Sequence, residues 1–318
     1  MTATYHDIDA LLRDVSPDLL KIEKLRQNRA ALYRRRMRVA IPATLTLITL
    51  IITMMVMQIP TIVIGAFISV SSYLLLDLFQ WANEPKHDYI KRYKFRILPL
   101  IANTIGKFKY HHNRTLPISE MERSGLIPRH HIYQAEDFFE GRYKGVDLCF
   151  WEARMLEDIS LDGSRQNYMP VFTGLIVYIH IPRYKFSGHT VILKDRLGDR
   201  RKLNRYLRKM KRAHMVDPEF EKLFTVFTTD PVEGRYLVNP LVIESIKAIH
   251  KKFSSTNLSA SFYEDQMVLM IPSALNHFEP GSIDMRSQNM AVITEIRDQI
   301  KKIVSIIDEL NLSQPHSA

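Results

Sequence analysis

Hydrophobic and polar positions divide this chain sharply. From Val39 to Leu76 the run VAIPATLTLITLIITMMVMQIPTIVIGAFISVSSYLLL contains no Asp, Glu, Lys, Arg or His, while the sequence on either side is densely charged. One helix over this run would be about 57 Å long at a rise of about 1.5 Å per residue. A bilayer core is only about 30 Å thick. Two spans fit, and Gln58-Ile59-Pro60 supplies the break, a polar residue followed by a proline that cannot continue the backbone ladder. The pattern therefore predicts a transmembrane hairpin over residues 39–80, with spans at 39–57 and 61–79. Asp77 lies near the far end of the second span, where a carboxylate costs much less than the roughly 3 kcal/mol it would cost at mid-bilayer. Gly65, Ser69 and Ser72 form a small-residue strip expected to pack the two spans together.

The periodicity continues beyond the hairpin. Residues 1–38 read as an amphipathic, basic helical segment: a short lead-in over 1–15 with Ile8, Leu11 and Leu12 as its apolar side, then a helix started by Ser16-Pro17-Asp18 with Leu19, Ile22, Leu25 and Leu32 at heptad-like spacing. After the second span, Ile90, Tyr93, Ile97, Ile101, Ile105 and Phe108 predict a basic helix over 81–114. These two extensions either pair as an antiparallel stalk or lie on the bilayer. From residue 115 to 318 the pattern changes to short β-type runs at 132–139, 145–154, 171–181, 189–194, 223–228, 259–263 and 266–271. GRYKG at 141–145 and Tyr263 to Gln266 read as hairpin turns, and a helix over 241–253 enters through Asn239-Pro240. The fold class is α+β with a largely antiparallel sheet, since strict βα alternation and a Gly-rich phosphate loop are both missing. A long last helix, about 284–312, carries Ile293, Ile296, Ile300, Ile303 and Ile307 on one stripe. That stripe either covers the domain's own sheet or mediates self-association into a homo-oligomer.

Charge changes the picture by fixing orientation. The formal net charge is +10, but it is gathered into three bands. Residues 21–38 carry eight basic and one acidic side chain, 86–114 carry eight and one, and 194–212 carry ten and two. Two bands abut the hairpin, and its turn is uncharged. Basic flanks stay cytoplasmic, so both termini are expected inside, in a multi-pass protein of a bacterial inner membrane. The first span begins too late to be a cleaved signal peptide. Arg34, Arg35, Arg36, Arg38, Lys91 and Arg92 are then candidate contacts to anionic lipid, each worth about 1 kcal/mol near the surface. The third band, if helical from Asp199, sets Leu203, Tyr206, Leu207 and Met210 on one side and Arg201, Arg205, Arg208 and Arg212 around it, which suits an anionic bilayer surface. Nucleic acid is the weaker reading, because a single aromatic interrupts the run and no recognition motif flanks it.

Four phrases, GLIP at 125–128, EDFFEGRYKGVDL at 136–148, VFTGL at 171–175 and FTVFTTDPVEGRYLVNP at 224–240, together with the hairpin, resemble a bacterial membrane-protein family, domain of unknown function 3137. The resemblance spans most of residues 39–275. It implies an integral membrane protein with a cytoplasmic α+β domain and no assigned activity, and a LemA-type membrane protein as a candidate partner. It supplies no active site.

The chemistry-bearing residues support no enzyme reading. His111-His112 and His130-His131 are adjacent pairs whose side chains diverge, so neither forms a two-ligand clamp. Glu136 and Asp137 diverge likewise, and no nucleophile is marked. Arg235 is expected to clasp Asp230 or Glu233 at the Pro231 turn. Cys149 excludes an internal disulfide framework and reads as a small buried hydrophobe. The sequons at Asn113, Asn257 and Asn311 face the cytoplasm in this topology and are chance matches. No cofactor or metal site is expected. The leading expectation is a non-enzymatic membrane protein whose domain binds anionic lipid headgroups or a protein partner. The alternatives are a membrane-tethered hydrolase-like enzyme and a self-assembling scaffold.

Overall fold

The computed structural model describes residues 3–160, 167–181, 185–194, 210–254, 257–274, 276–287 and 289–312. The chain divides into two compact units, residues 1–100 with 279–294, and residues 101–278 with 295–318.

In the first unit, α1 (Ala3–Val56) and α2 (Thr61–Asn103) are joined by the predicted break. Gln58 takes a left-handed φ of 54°, and the Ile59 N–H reaches back to the Met54 carbonyl at 3.1 Å, which closes the end of α1. Both helices contain a stretch long and apolar enough to cross a membrane, and only 6% and 11% of those stretches are buried. Side chains such as Leu45, Ile52, Ile62, Val70 and Leu74 stand exposed. Stretches this apolar and this uncovered suit a membrane span better than the interior of a soluble fold. Against expectation, α1 does not start at Ser16 but runs on through Pro17 and Pro42, as α2 does through Pro85 and Pro99. Each interior proline removes one backbone hydrogen bond, a loss that a long packed helix absorbs. The small-residue strip is also misplaced by the sequence reading. Gly65, Ser69 and Ser72 face outward, and the buried positions of the spans are Ala40, Ile64 and Ser71.

The charged halves of the two helices form the antiparallel stalk. Asp18 pairs with Arg96 (2.7 Å), Arg29 with Asp88 (2.8 Å) and Arg36 with Glu84, a ladder that descends one helix as it climbs the other. Leu19, Ile22, Ala30, Ala82, Tyr89, Tyr93 and Ile97 are buried in this unit. Residues 279–294 are clasped to α1. Arg26 donates to Glu23 (2.7 and 2.9 Å) and to the Ile283 carbonyl (2.7 Å), while the Ser287 N–H and hydroxyl donate to Glu23 (2.9 and 2.7 Å). Arg26 and the Ser287 hydrogen bonds hold the Glu23 carboxyl down to about 2.

In the second unit all seven predicted strands are present, extended by a residue or more in most cases. The strands are β1 (Lys107–His111), β2 (Ile132–Tyr143), β3 (Val146–Asp158), β4 (Tyr168–His180), β5 (Phe186–Lys194), β6 (Lys211–Ala213), β7 (Phe224–Thr228), β8 (Ser259–Glu264) and β9 (Gln266–Pro272). They form one open nine-stranded sheet, β1-β2-β3-β4-β9-β8-β5-β7-β6, in which each pairing is antiparallel. The β2–β3 turn has Lys144 and Gly145 at φ 48° and 82°, the two left-handed positions that a tight two-residue hairpin requires. Two strands were not anticipated. The helix expected over 81–114 stops at Asn103, and Lys107-Phe108-Lys109-Tyr110 alternates exposed and buried as edge strand β1. Lys211–Ala213 is the opposite edge strand, where a helical basic segment was expected.

One face of the sheet carries Trp151, Ala153, Met155, Ile176, Val268 and Met270, packed with Met121 of α3 (Ile118–Arg123) and with Leu126 and Ile127. The alternate positions on β2, β3 and β4, including Phe139, Phe150 and Val177, are buried as well. Three further helices carry buried side chains: α4 (Pro218–Leu223) buries Phe220, α5 (Pro231–Leu237) buries Gly234 and α6 (Pro240–Phe253) buries Ile243, Ile246 and Ile249. Helix α7 (Met290–Glu309) is shorter than predicted. Ile293, Ile296, Ile300, Ile303 and Ile307 are all at most 1% exposed. This corrects the self-association alternative at those residues, because a stripe already covered by its own chain offers no open face. Ser245 of α6 bonds the Glu309 carbonyl (2.6 Å), and Lys144 at the β2–β3 turn pairs with Asp308 (2.7 Å).

Candidate functional site

The residues expected at a membrane surface separate by height along their helices. Arg34, Arg35 and Arg38 are exposed on α1 within the last turn and a half before Val39, where the uncharged run begins. Arg36 stacks over Trp81 with its guanidinium carbon 4.7 Å from the ring centroid, and it bonds Glu84. An Arg–Trp pair at the border of an apolar band is the chemistry of a membrane interface. Ala31, Arg34, Met37, Arg38, Ile41 and Pro42 line a shallow groove of about 670 Å³ across this border. Lys91 and Arg92 are placed differently. They lie twelve or more residues past Phe79, about 18 Å along the helix, which exceeds a physiological Debye length of about 8 Å. Arg92 is bonded to Asp88 (2.9 Å), at the level of Arg29. Those two residues belong to the stalk.

Arg201, Arg205 and Arg208 lie outside the described residues. Arg212 is exposed on β6.

The histidine and carboxylate pairs are held by local bonds. His111 Nε2 lies 3.1 Å from Glu140, which also accepts from Arg114 (2.6 Å), and the Asp158 N–H donates to His131 Nδ1 (3.0 Å). Asp137 is buried at a bulge with a left-handed φ of 54°, where it accepts from the Tyr110 hydroxyl (2.6 Å). Its conformation breaks the strand alternation, so the Glu136 and Asp137 carboxylates do not diverge as expected but come within 4.8 Å of each other. The expected Arg235 clasp does not form. Asp230 caps α5, Glu233 accepts the Ser187 and Gly188 backbone N–H groups, and Arg235 is exposed. A Ser–His contact that no sequence signal announced joins Ser261 Oγ to His189 Nε2 (2.8 Å), with the Ser124 carbonyl on the same nitrogen (3.0 Å). Ser261 is fully buried, so a substrate cannot reach it. Burial raises the Cys149 thiol to about 12, which leaves it protonated at neutral pH.

A second concave region lies on the open end of the sheet. Lys107, Lys109, Leu116, Glu120, Arg142, Cys149, Tyr178 and His180 are among the residues that line a cleft of about 460 Å³. Lys107 and Lys109 share the exposed face of β1, a period-two signal that was legible in the sequence but hidden by a competing three-residue spacing.

No curated protein and no solved structure matches the chain. The family match begins at β4 and takes in VFTGL and the 224–240 phrase, but it leaves GLIP, EDFFEGRYKGVDL and the hairpin outside. Over residues 170–312, then, the chain is similar to the family described as protein of unknown function (DUF3137).

Proposed function

We propose that this is a multi-pass protein of a bacterial inner membrane with both termini cytoplasmic, in which the hairpin anchors the α+β domain and the border arginines bind anionic lipid headgroups. The observation that carries this reading is the exposure of Arg34, Arg35 and Arg38 beside an uncovered apolar band. Three such cations at about 1 kcal/mol each favour anionic over neutral lipid by roughly 3 kcal/mol, about a hundredfold. The full chain, extracted from native membranes in mild detergent, should retain phosphatidylglycerol or cardiolipin. The variant Arg34→Gln/Arg35→Gln/Arg38→Gln should retain far less while still fractionating with membranes. Equal lipid retention by the variant would overturn the lipid assignment.

A protein partner is the second reading. It is favoured by the exposure of Val232 and Tyr236 one turn apart on α5, at 77% and 83%. The family resemblance makes a LemA-type membrane protein the first candidate. Val232→Ser/Tyr236→Ser should then reduce its co-purification from native membranes.

A further inference from the structure

We infer that the cleft on the open end of the sheet is a binding site for a small amphipathic organic anion, a carboxylate or monophosphate carried on an apolar or aromatic body. The sheet register builds it. Lys109, Glu140, Cys149, Tyr178 and Val268 stand opposite one another across β1, β2, β3, β4 and β9. Towards the open end, Lys107 pairs with Arg142, Arg142 with Asp147, and His180 with Gln266. The first row has an apolar floor and the second is polar throughout, while Leu116 and Glu120 line the cleft from outside the sheet.

The charges in the cleft are unevenly compensated. Asp147 is held by Arg142 through two bonds of 2.7 Å, and Glu140 by Arg114 and His111. Lys107 and Lys109 make no ion pair among the described residues and point their ammonium groups from neighbouring positions of one strand face. Glu120 offsets one of the two charges, so the cleft suits a head of low charge and disfavours polyphosphates and nucleic acid. Below this, the Tyr178 ring is stacked on Trp151 (5.6 Å between centroids) and is only 6% exposed. Its hydroxyl is buried beside the Tyr263 phenol, which itself donates to Gln266 (3.0 Å). The cleft volume falls within the range of small-molecule sites, about 300–1,000 Å³.

The test uses the full chain in phosphatidylcholine nanodiscs, with 1-naphthyl phosphate as the probe in equilibrium dialysis and empty nanodiscs as the blank. One saturable site above the blank is expected. Inorganic phosphate should bind at least tenfold more weakly, because it brings no body for the apolar floor. Lys107→Gln/Lys109→Gln alters only exposed side chains and should weaken the probe tenfold or more. Competition separates two sources of the same head. Displacement chiefly by a soluble short-chain phosphatidylglycerol assigns it to a lipid, and displacement chiefly by 2-naphthoate assigns it to a free organic anion; either result keeps the site. Absence of saturable uptake, or equal affinity in the lysine variant, overturns it.

Discussion

Glu23 shows how one residue binds distant sequence together. Its carboxylate is shared by Arg26 on its own helix and Ser287 some 264 positions away. Because folding lowers its pKa to about 2, the contribution is present above the ordinary carboxylate range and is lost as pH falls from about 4.5 towards 2. The depression corresponds to roughly 3 kcal/mol. Glu23→Gln should therefore lower thermal stability at pH 7 and flatten its acid dependence, measured by differential scanning calorimetry of the full chain in detergent. An unchanged acid limb in the variant would show that another group controls it.

At the scale of elements, local signals and packing contribute differently. Asn239 accepts from the Leu241 and Val242 N–H groups at the start of α6, as Asn-Pro ahead of an apolar run suggests. Asn239→Ala should cost about 1 kcal/mol in chemical denaturation. Helix α7 depends on burial instead. Ile296→Ala and Ile303→Ala should each cost about 2–5 kcal/mol and leave the oligomeric state unchanged, read by denaturation and light scattering on the same samples. Dissociation of an oligomer without loss of stability would contradict the burial described above. The C-terminal stripe was legible from its spacing, but which surface it met was not. Spacing states that a face is apolar, and the surface that covers it is a property of the fold. Edge strand β1 was missed for a related reason. Phe108 satisfies both a helical and an alternating pattern, and the alternation prevails because β2 offers Tyr110 and Phe108 a partner strand.

For the whole molecule, the decisive quantity is the apolar surface left uncovered on α1 and α2. The full chain should remain in the membrane fraction after alkaline carbonate and leave it only in detergent. Reporter fusions at residues 1 and 318 should report the same side. A soluble full-length chain, or termini on opposite sides, would remove the hairpin and the lipid assignment with it.

The hairpin, its break at Gln58-Ile59-Pro60, seven of the nine described strands and their turns follow from the sequence alone, because each rests on a local periodicity or a residue with a restricted backbone. The tertiary structure decided which cations face solvent at the apolar border, that the isoleucine stripe is covered, that Asp137 and Ser261 are sealed inside, and that Lys107, Lys109 and Tyr178 share one cleft. Those outcomes depend on strand register and helix rotation. Such quantities are set by the sum of contacts over the whole fold, and no single stretch of chain encodes them.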